Sequence, residues 1–126
     1  KSVVVHSRKA ELDAIDILEE EKMVSVIMHC FNGKKALIRR CVENGWSFSV
    51  PAVIARLDHF KMLVDMVPME LLLTETDGAY LAPVAGTRNE PVNVMVTLEE
   101  IARIKGLDVE EVSERIFENT KGLFEF

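Results

Sequence analysis

Val26-Ile27-Met28-His29 is an apolar run that ends on an imidazole, and two other stretches of the chain repeat its form. Val3-Val4-Val5-His6 precedes it, and Leu71-Leu72-Leu73-Thr74-Glu75-Thr76-Asp77 follows. Short β-branched or leucine-rich runs of this kind read as strands buried on both faces of a parallel sheet. In α/β folds the C-terminal ends of such strands carry the chemistry. Three runs that end in nitrogen or carboxylate donors suited to a divalent cation predict part of a metal site, with His6, His29 and Asp77 as its ligands.

A less regular run, Trp46-Ser47-Phe48-Ser49-Val50, ends at Pro51 and completes a series. His6, His29, Pro51 and Asp77 follow one another at intervals of 23, 22 and 26 positions. A strand, a turn, a helix of about three turns and a second turn need roughly that many residues. Helical spacing fills each interval. Lys9 to Glu21 presents Leu12, Ile15 and Leu18 on one face; Lys34 to Asn44 presents Leu37, Ile38, Cys41 and Val42, with Gly45 suited to the C′ position. Arg56 to Val67 presents Leu57, Phe60, Leu63 and Val64 before Pro68 stops it. The order is βαβαβαβ, which implies a parallel sheet with right-handed crossovers.

Beyond Asp77 a loop from Gly78 to Glu90 leads to Pro91, which suits the first position of a helix carrying Val94, Leu98, Ile101 and Ala102. Gly106 ends that helix. Asp108 with Glu111 has the spacing of a capping box and opens a last helix that carries Val112, Ile116 and Phe117. No Gly-x-Gly-x-x-Gly or Walker-type loop follows any strand, so a nucleotide-binding open sheet lacks support. Ligands spread over several strand ends fit a barrel better.

The composition narrows the function. With 126 residues the chain is a single domain, and its 48% hydrophobic and 29% charged content is ordinary for a globular protein. A formal charge of −6 argues against a passive binder that holds nucleic acid on a broad basic face. An enzyme acting on nucleic acid is compatible with it, because bound cations supply local positive charge. Two cysteines, no signal peptide and no membrane-length apolar run lead to the expectation of a reduced, cytoplasmic protein with no membrane contact. The start at Lys1-Ser2, almost directly in a strand, is expected to reflect a cut beginning.

Individual side chains add detail. Arg8 lies two residues beyond His6 and is placed to clamp a phosphate or to pair at the rim. Lys34 and Lys35 open a helix, where cations oppose the dipole, so an anionic ligand or plain solvation accounts for them. Glu75 alternates with Asp77 and is expected to point the same way, supporting the metal shell or a histidine. Arg88 is expected to contact substrate or to pair with Glu90. Cys30 is expected to face the helices as packing, and His59, between Asp58 and Lys61, to face solvent.

Several linked motifs now resemble one family. His6-Ser7-Arg8, His29-Cys30-Phe31-Asn32-Gly33 and Thr74-Glu75-Thr76-Asp77 followed by Tyr80-Leu81-Ala82-Pro83 resemble the TatD family of metal-dependent deoxyribonucleases. Arg88-Asn89-Glu90-Pro91 and Glu118-Asn119-Thr120 with Leu123-Phe124 match as well, so the resemblance runs from about Val3 to Phe124. It implies a TIM-type (β/α)8 barrel of which this chain is the C-terminal half, strands five to eight, with four parallel strands and outer helices. It implies a metal site at the C-terminal strand face, holding two or more magnesium, manganese or zinc ions. His6 and His29 would ligate one metal from the fifth and sixth strands, and Asp77, at the end of the eighth, would bind the other or orient the attacking water. The implied activity is phosphodiester cleavage in DNA, often as a 3′-5′ exonuclease.

The departures are as informative. The family's His-x-His on the first strand and bridging glutamate on the fourth belong to strands this chain does not contain. Gly78-Ala79 stands where a proline usually precedes the tyrosine, and Val50-Pro51-Ala52 replaces a Ser-Gly turn, which puts substrate contacts near the seventh strand in doubt. A complete two-metal site is therefore not expected from this chain alone, and as an enzyme it is expected to be a fragment with little or no activity. Two alternatives stand beside the nuclease: a related barrel hydrolase acting on an amide or ester, and a non-catalytic half-barrel that assembles as a homo-oligomer through its exposed edges. No lysine stands at these strand ends, which favours the phosphodiester over the amide.

Overall fold

The computed structural model describes all 126 residues, Lys1–Phe126. Four strands, β1 (Val3–His6), β2 (Val26–His29), β3 (Ser47–Val50) and β4 (Leu72–Thr74), form one parallel sheet in sequence order. The helices α1 (Glu11–Glu20), α2 (Lys35–Glu43) and α3 (Asp58–Met66) are the crossovers, and α4 (Val94–Lys105) and α5 (Val109–Phe124) follow the last strand. Sequential order with one helix per crossover is the topology of a barrel segment rather than of a doubly wound sheet.

The core lies between sheet and helices. Val26, Met28, Phe48, Val50 and Leu72 meet Ile15, Ile38, Cys41, Phe60, Leu63, Val64, Ile101 and Val112 there, all essentially excluded from solvent. The other face alternates with it, as the pleat requires. Val4 pairs with Ile27 in register and His6 with His29, so both histidines stand on the face away from the helices. Phe31, directly after β2, packs edge-on against Phe48 with ring centres 5.7 Å apart.

Boundaries differ from the sequence reading at several element ends. Lys9 has φ +61°, so α1 starts at Glu11 rather than Lys9, and Leu12 is half exposed instead of facing inward. Gly45 does occupy the C′ position of α2, at φ +73°. Trp46 falls outside β3; its indole N–H donates to the Met23 carbonyl at 3.0 Å, which fixes it under the sheet before the strand begins. Leu57 precedes α3, and is partly exposed. Pro91 opens a short 3-10 turn, Pro91–Asn93, and α4 begins only at Val94. Asp108 sits at the N-cap of α5 without a side-chain capping bond; Glu111 pairs with Arg115 instead, at 3.3 Å.

Two polar clamps hold the periphery. Asn119 on α5 donates from its amide to the carbonyls of Met69 (2.8 Å) and Leu72 (2.9 Å), which ties the last helix to the start of β4. Arg40 on α2 reaches Asp16 (2.9 Å) and Glu19 (2.5 Å) on α1. Neither clamp touches the C-terminal strand ends, where the chemistry is expected. No helix is long and apolar enough to cross a membrane.

Candidate metal and substrate site

The C-terminal strand ends converge on a cavity of about 490 Å³. His6, Arg8, Cys30, Asn32, Asp77 and Tyr80 line it. His6 and His29 are register partners across β1 and β2, and their rings stand 5.6 Å apart between centres. The sequence thus places both imidazoles side by side by ending two adjacent parallel strands on the same residue type.

Glu75 follows β4 and lies beneath them. Its backbone N–H donates to the Val50 carbonyl at 3.0 Å, which extends the ladder one residue past the strand. One carboxylate oxygen, Oε2, meets Nδ1 of His29 and also accepts from the Ser49 hydroxyl at 2.9 Å. The other, Oε1, is buried and has no partner. Burial pushes the Glu75 carboxyl above its ordinary value, against the pull of His29 and the Ser49 hydroxyl. A buried carboxylate with an idle oxygen is costly unless something compensates it.

Asp77 is not the last residue of a strand, as the sequence reading had it. β4 ends at Thr74, and Asp77 adopts φ +57°, a left-handed conformation incompatible with a strand ladder. Asp77 nevertheless comes back to the site, with Oδ1 3.8 Å from Nε2 of His29. Glu75 and Asp77 therefore take opposite edges of one imidazole, Asp77 by a left-handed turn rather than by the strand alternation that the sequence reading assumed. Arg8 lies beyond the end of β1 and lines the same cavity as His6.

Three expectations require correction. Cys30 does not simply face the helices: at φ +45° it breaks the strand alternation and turns into the cavity wall, while still packing against the core. Burial and the carboxylates of Glu75 and Asp77 push its thiol up to about 12, so it stands as a neutral wall residue. His59 is half-buried rather than solvated; its Nε2 bonds to the Phe31 carbonyl at 2.9 Å and so braces the loop after β2. Arg88 forms no ion pair with Glu90 and lies outside the cavity, exposed on the long loop.

The residue whose role sequence reasoning missed is Asn89, 2% exposed near the end of that loop. Its amide donates to the carbonyls of Thr76 (2.6 Å) and Tyr80 (2.7 Å), and its Oδ1 accepts from Asn93 at 2.8 Å. Asn89 thereby folds the loop back over the segment that carries Asp77. The motif Arg88-Asn89-Glu90-Pro91 is its signal in the sequence; a lone asparagine gives no periodic one that would reveal its role.

The donor set has the chemistry of half a metal site. His29 has its Nδ1 engaged by a carboxylate, which orients Nε2 outward in the manner of a metal-ligating histidine. Asp77, His6 and the idle oxygen of Glu75 supply further donors nearby. Nowhere do three His, Cys, Asp or Glu side chains draw together tightly enough to hold a metal ion as they stand. The residues fit a cation that is completed by further ligands.

The family model for TatD-related DNases matches residues 1–125. The chain belongs to the TatD-related DNase family. It is 40% identical over 124 residues to an uncharacterized metal-dependent hydrolase of Methanocaldococcus jannaschii, covering 98% of this chain and 49% of that protein. It is 38% identical over 122 residues to a human deoxyribonuclease, covering 97% of this chain and 44% of that one. A solved TatD homologue from Escherichia coli superposes with a TM-score of 0.87 at 22% identity, over 99% of this chain and 50% of the other. A TatD-family hydrolase from Entamoeba histolytica gives 0.86 at 19% identity, over 97% and 50%. This TatD-family chain spans about half the length of the relatives it matches. Its four parallel strands and helices correspond to half of the TatD barrel.

Proposed function

We propose that this chain supplies the strand-five-to-eight half of a metal-dependent phosphodiesterase site acting on DNA. The observation that supports the reading best is the Glu75–His29–Asp77 arrangement at the strand ends, with Arg8 on the same cavity. His6, His29 and Asp77 would hold divalent cations (magnesium, manganese or zinc, two in the whole barrel). When bound, such cations neutralise phosphate charge and polarise the phosphorus–oxygen bonds.

The chain's own residues divide the remaining work. Arg8 clamps a non-bridging phosphate oxygen with its planar fork of N–H donors. Glu75 fixes the tautomer of His29 so that Nε2 stays free toward the cavity. Asp77 orients the attacking water for in-line approach to phosphorus and receives its proton. Cleavage from a 3′ end is the proposed polarity, and it rests on the resemblance to the family rather than on the cavity. Arg88 lies outside the cavity and is assigned contact with a more distant phosphate.

A second reading rests on the sheet edges. β1 and β4 are edge strands, and Val3 and Val4 on β1 are substantially exposed. Pairing of two copies through these edges would cover them. Light scattering tests it: a mass near that of one chain at micromolar concentration removes the homo-oligomer. Cleavage of a labelled single-stranded oligonucleotide with manganese or magnesium, beside His29→Ala, tests the main reading. Cleavage that survives His29→Ala refutes the assigned site. No cleavage by the chain and none by a full-length relative's barrel carrying this half refutes the DNA reading itself.

A further inference from the structure

Tyr80 is the chain's only tyrosine and is 80% exposed, yet it stands on the wall of the metal and substrate cavity. The other large exposed aromatics, Phe117, Phe124 and Phe126, lie on α5 or just beyond it and do not line the cavity. An exposed ring on a loop is unremarkable by itself. The backbone beneath this one is held on both sides.

Its N–H donates to the Asp77 carbonyl at 3.0 Å, and its carbonyl accepts from the buried Asn89 amide at 2.7 Å. The Asn89 N–H in turn donates to the Ala79 carbonyl at 3.0 Å. The ring's root is therefore tied by one hydrogen bond to the candidate metal ligand and by another to a residue with 2% exposure. A fixed backbone leaves only the ring's own two side-chain torsions to be ordered on binding. Leu81 beside it adds an apolar patch, and Arg8 and Asn32 add polar groups to the same wall. A cavity of about 490 Å³ lies within the ~300–1,000 Å³ typical of small-ligand sites.

We propose that Tyr80 is the stacking platform of a nucleobase subsite, which takes an unpaired base while Arg8 holds an adjoining phosphate. The proposal rests on the DNA reading of this site and assigns the contact with the base to Tyr80. A base inside a duplex has both faces occupied by its neighbours; an unpaired terminal base has a face to give. The charge of the chain makes the same demand. At −6 overall, the protein gains little from long-range attraction of phosphates, so affinity must come from local contacts. Stacking on an aromatic side chain supplies such affinity without sequence preference, because every base has a π face.

The test compares two probes of equal length and charge with the complete 126-residue chain in magnesium buffer. One is a short oligothymidylate, the other the same backbone built of abasic sugar phosphates, both with phosphorothioate linkages that resist cleavage. Fluorescence anisotropy should show the oligothymidylate binding roughly 5- to 150-fold more tightly, the range expected for one stacked base. Tyr80→Ala should erase that preference, whereas Tyr80→Phe and Tyr80→Trp should keep it. Because Tyr80 is the sole tyrosine, uniform 3-fluorotyrosine labelling gives one resonance that should shift with the first probe and not with the second. Equal affinity for both probes, or a preference that survives Tyr80→Ala, overturns the subsite and leaves the DNA reading in place. Failure of this chain to bind either probe overturns the subsite, and failure of a full-length relative's barrel carrying this half to bind either one overturns the DNA reading with it.

Discussion

Glu75 meets Nδ1 of His29 while its second oxygen is buried without a partner. That one contact makes the histidine directional. An imidazole with Nδ1 bonded to a carboxylate keeps its proton there and offers the Nε2 lone pair to the cavity, where Asp77 stands 3.8 Å away. The arrangement is unfavourable for folding, because burial works against the charged form of Glu75. It is favourable for holding a cation, because the field of the buried carboxylate is weakly screened.

Glu75→Gln should therefore separate binding from stability. Loss of a carboxylate behind a ligating histidine costs roughly 10–100-fold in metal affinity, which calorimetric titration with manganese or zinc can read. Stability should move the other way. Glu75 is held above its ordinary value of 4.5, so its protonated form favours folding at low pH and that contribution is lost as pH rises through the raised value. Glutamine does not titrate. The variant should gain in urea midpoint over the parent at neutral pH, with the gap closing below about pH 4.5. Unchanged metal affinity would remove Glu75 from the site.

Asn89→Ala should loosen the loop that presents Asp77 and Tyr80. The substitution strands the carbonyls of Thr76 and Tyr80, each now bonded to the Asn89 amide. Groups left unpaired cost about 1–3 kcal/mol where fully buried, and these bonds are partly buried, so the lower end applies. Amide exchange should quicken from Gly78 to Glu90 and stay unchanged in β1 and β2. Uniform acceleration across the sheet would mean that Asn89 serves global stability rather than the loop.

Much of this was legible in the sequence because period and punctuation carry it. Parallel strands buried on both faces read as continuous apolar runs, and the residues that end them, His6 and His29, stand side by side by register alone. Gly45 marked the end of α2 for the same local reason, a φ that favours glycine. What escaped was set by turns in non-glycine residues. Cys30 and Asp77 both adopt positive φ, so alternation fails at the two positions where it was extrapolated past a strand end. Asn89 and His59 escaped because their roles consist of side-chain bonds to carbonyls distant in sequence, at Thr76 and Phe31. No spacing rule encodes those pairings.

Gly33→Ala should destabilise the loop after β2 through packing. A Cβ at Gly33 would lie 2.3 Å from Cζ of Phe31, a ring that is 1% exposed and wedged against Phe48. Relief demands displacement of a buried aromatic, for which overpacking costs of about 1–3 kcal/mol are typical. Gly106→Ala is the control: its Cβ would meet nothing within 4 Å, and only the φ of +66° resists it. Thermal unfolding should show a loss for both. Only Gly33→Ala should also disturb the ring resonances of Phe31 and Phe48; undisturbed rings would show that the loop yields and the ring does not.

Arg40→Met should make acid stability flatter. Arg40 donates to Asp16 and to both oxygens of Glu19, and Asn44 donates to Glu19 as well, at 2.9 Å. The Arg40 bond, followed by that of Asn44, holds the Glu19 carboxyl below its usual 4.5. A depressed carboxyl stabilises the fold above its unfolded value and loses that contribution as pH falls through the folded one. The parent should therefore exceed Arg40→Met in urea midpoint at neutral pH, and the two should converge below about pH 4.5. Salt should narrow the neutral-pH gap, since the pair is open to solvent and screened. A gap that persists at low pH would assign Arg40's role to the packing of its aliphatic stem between α1 and α2 instead of to its charge.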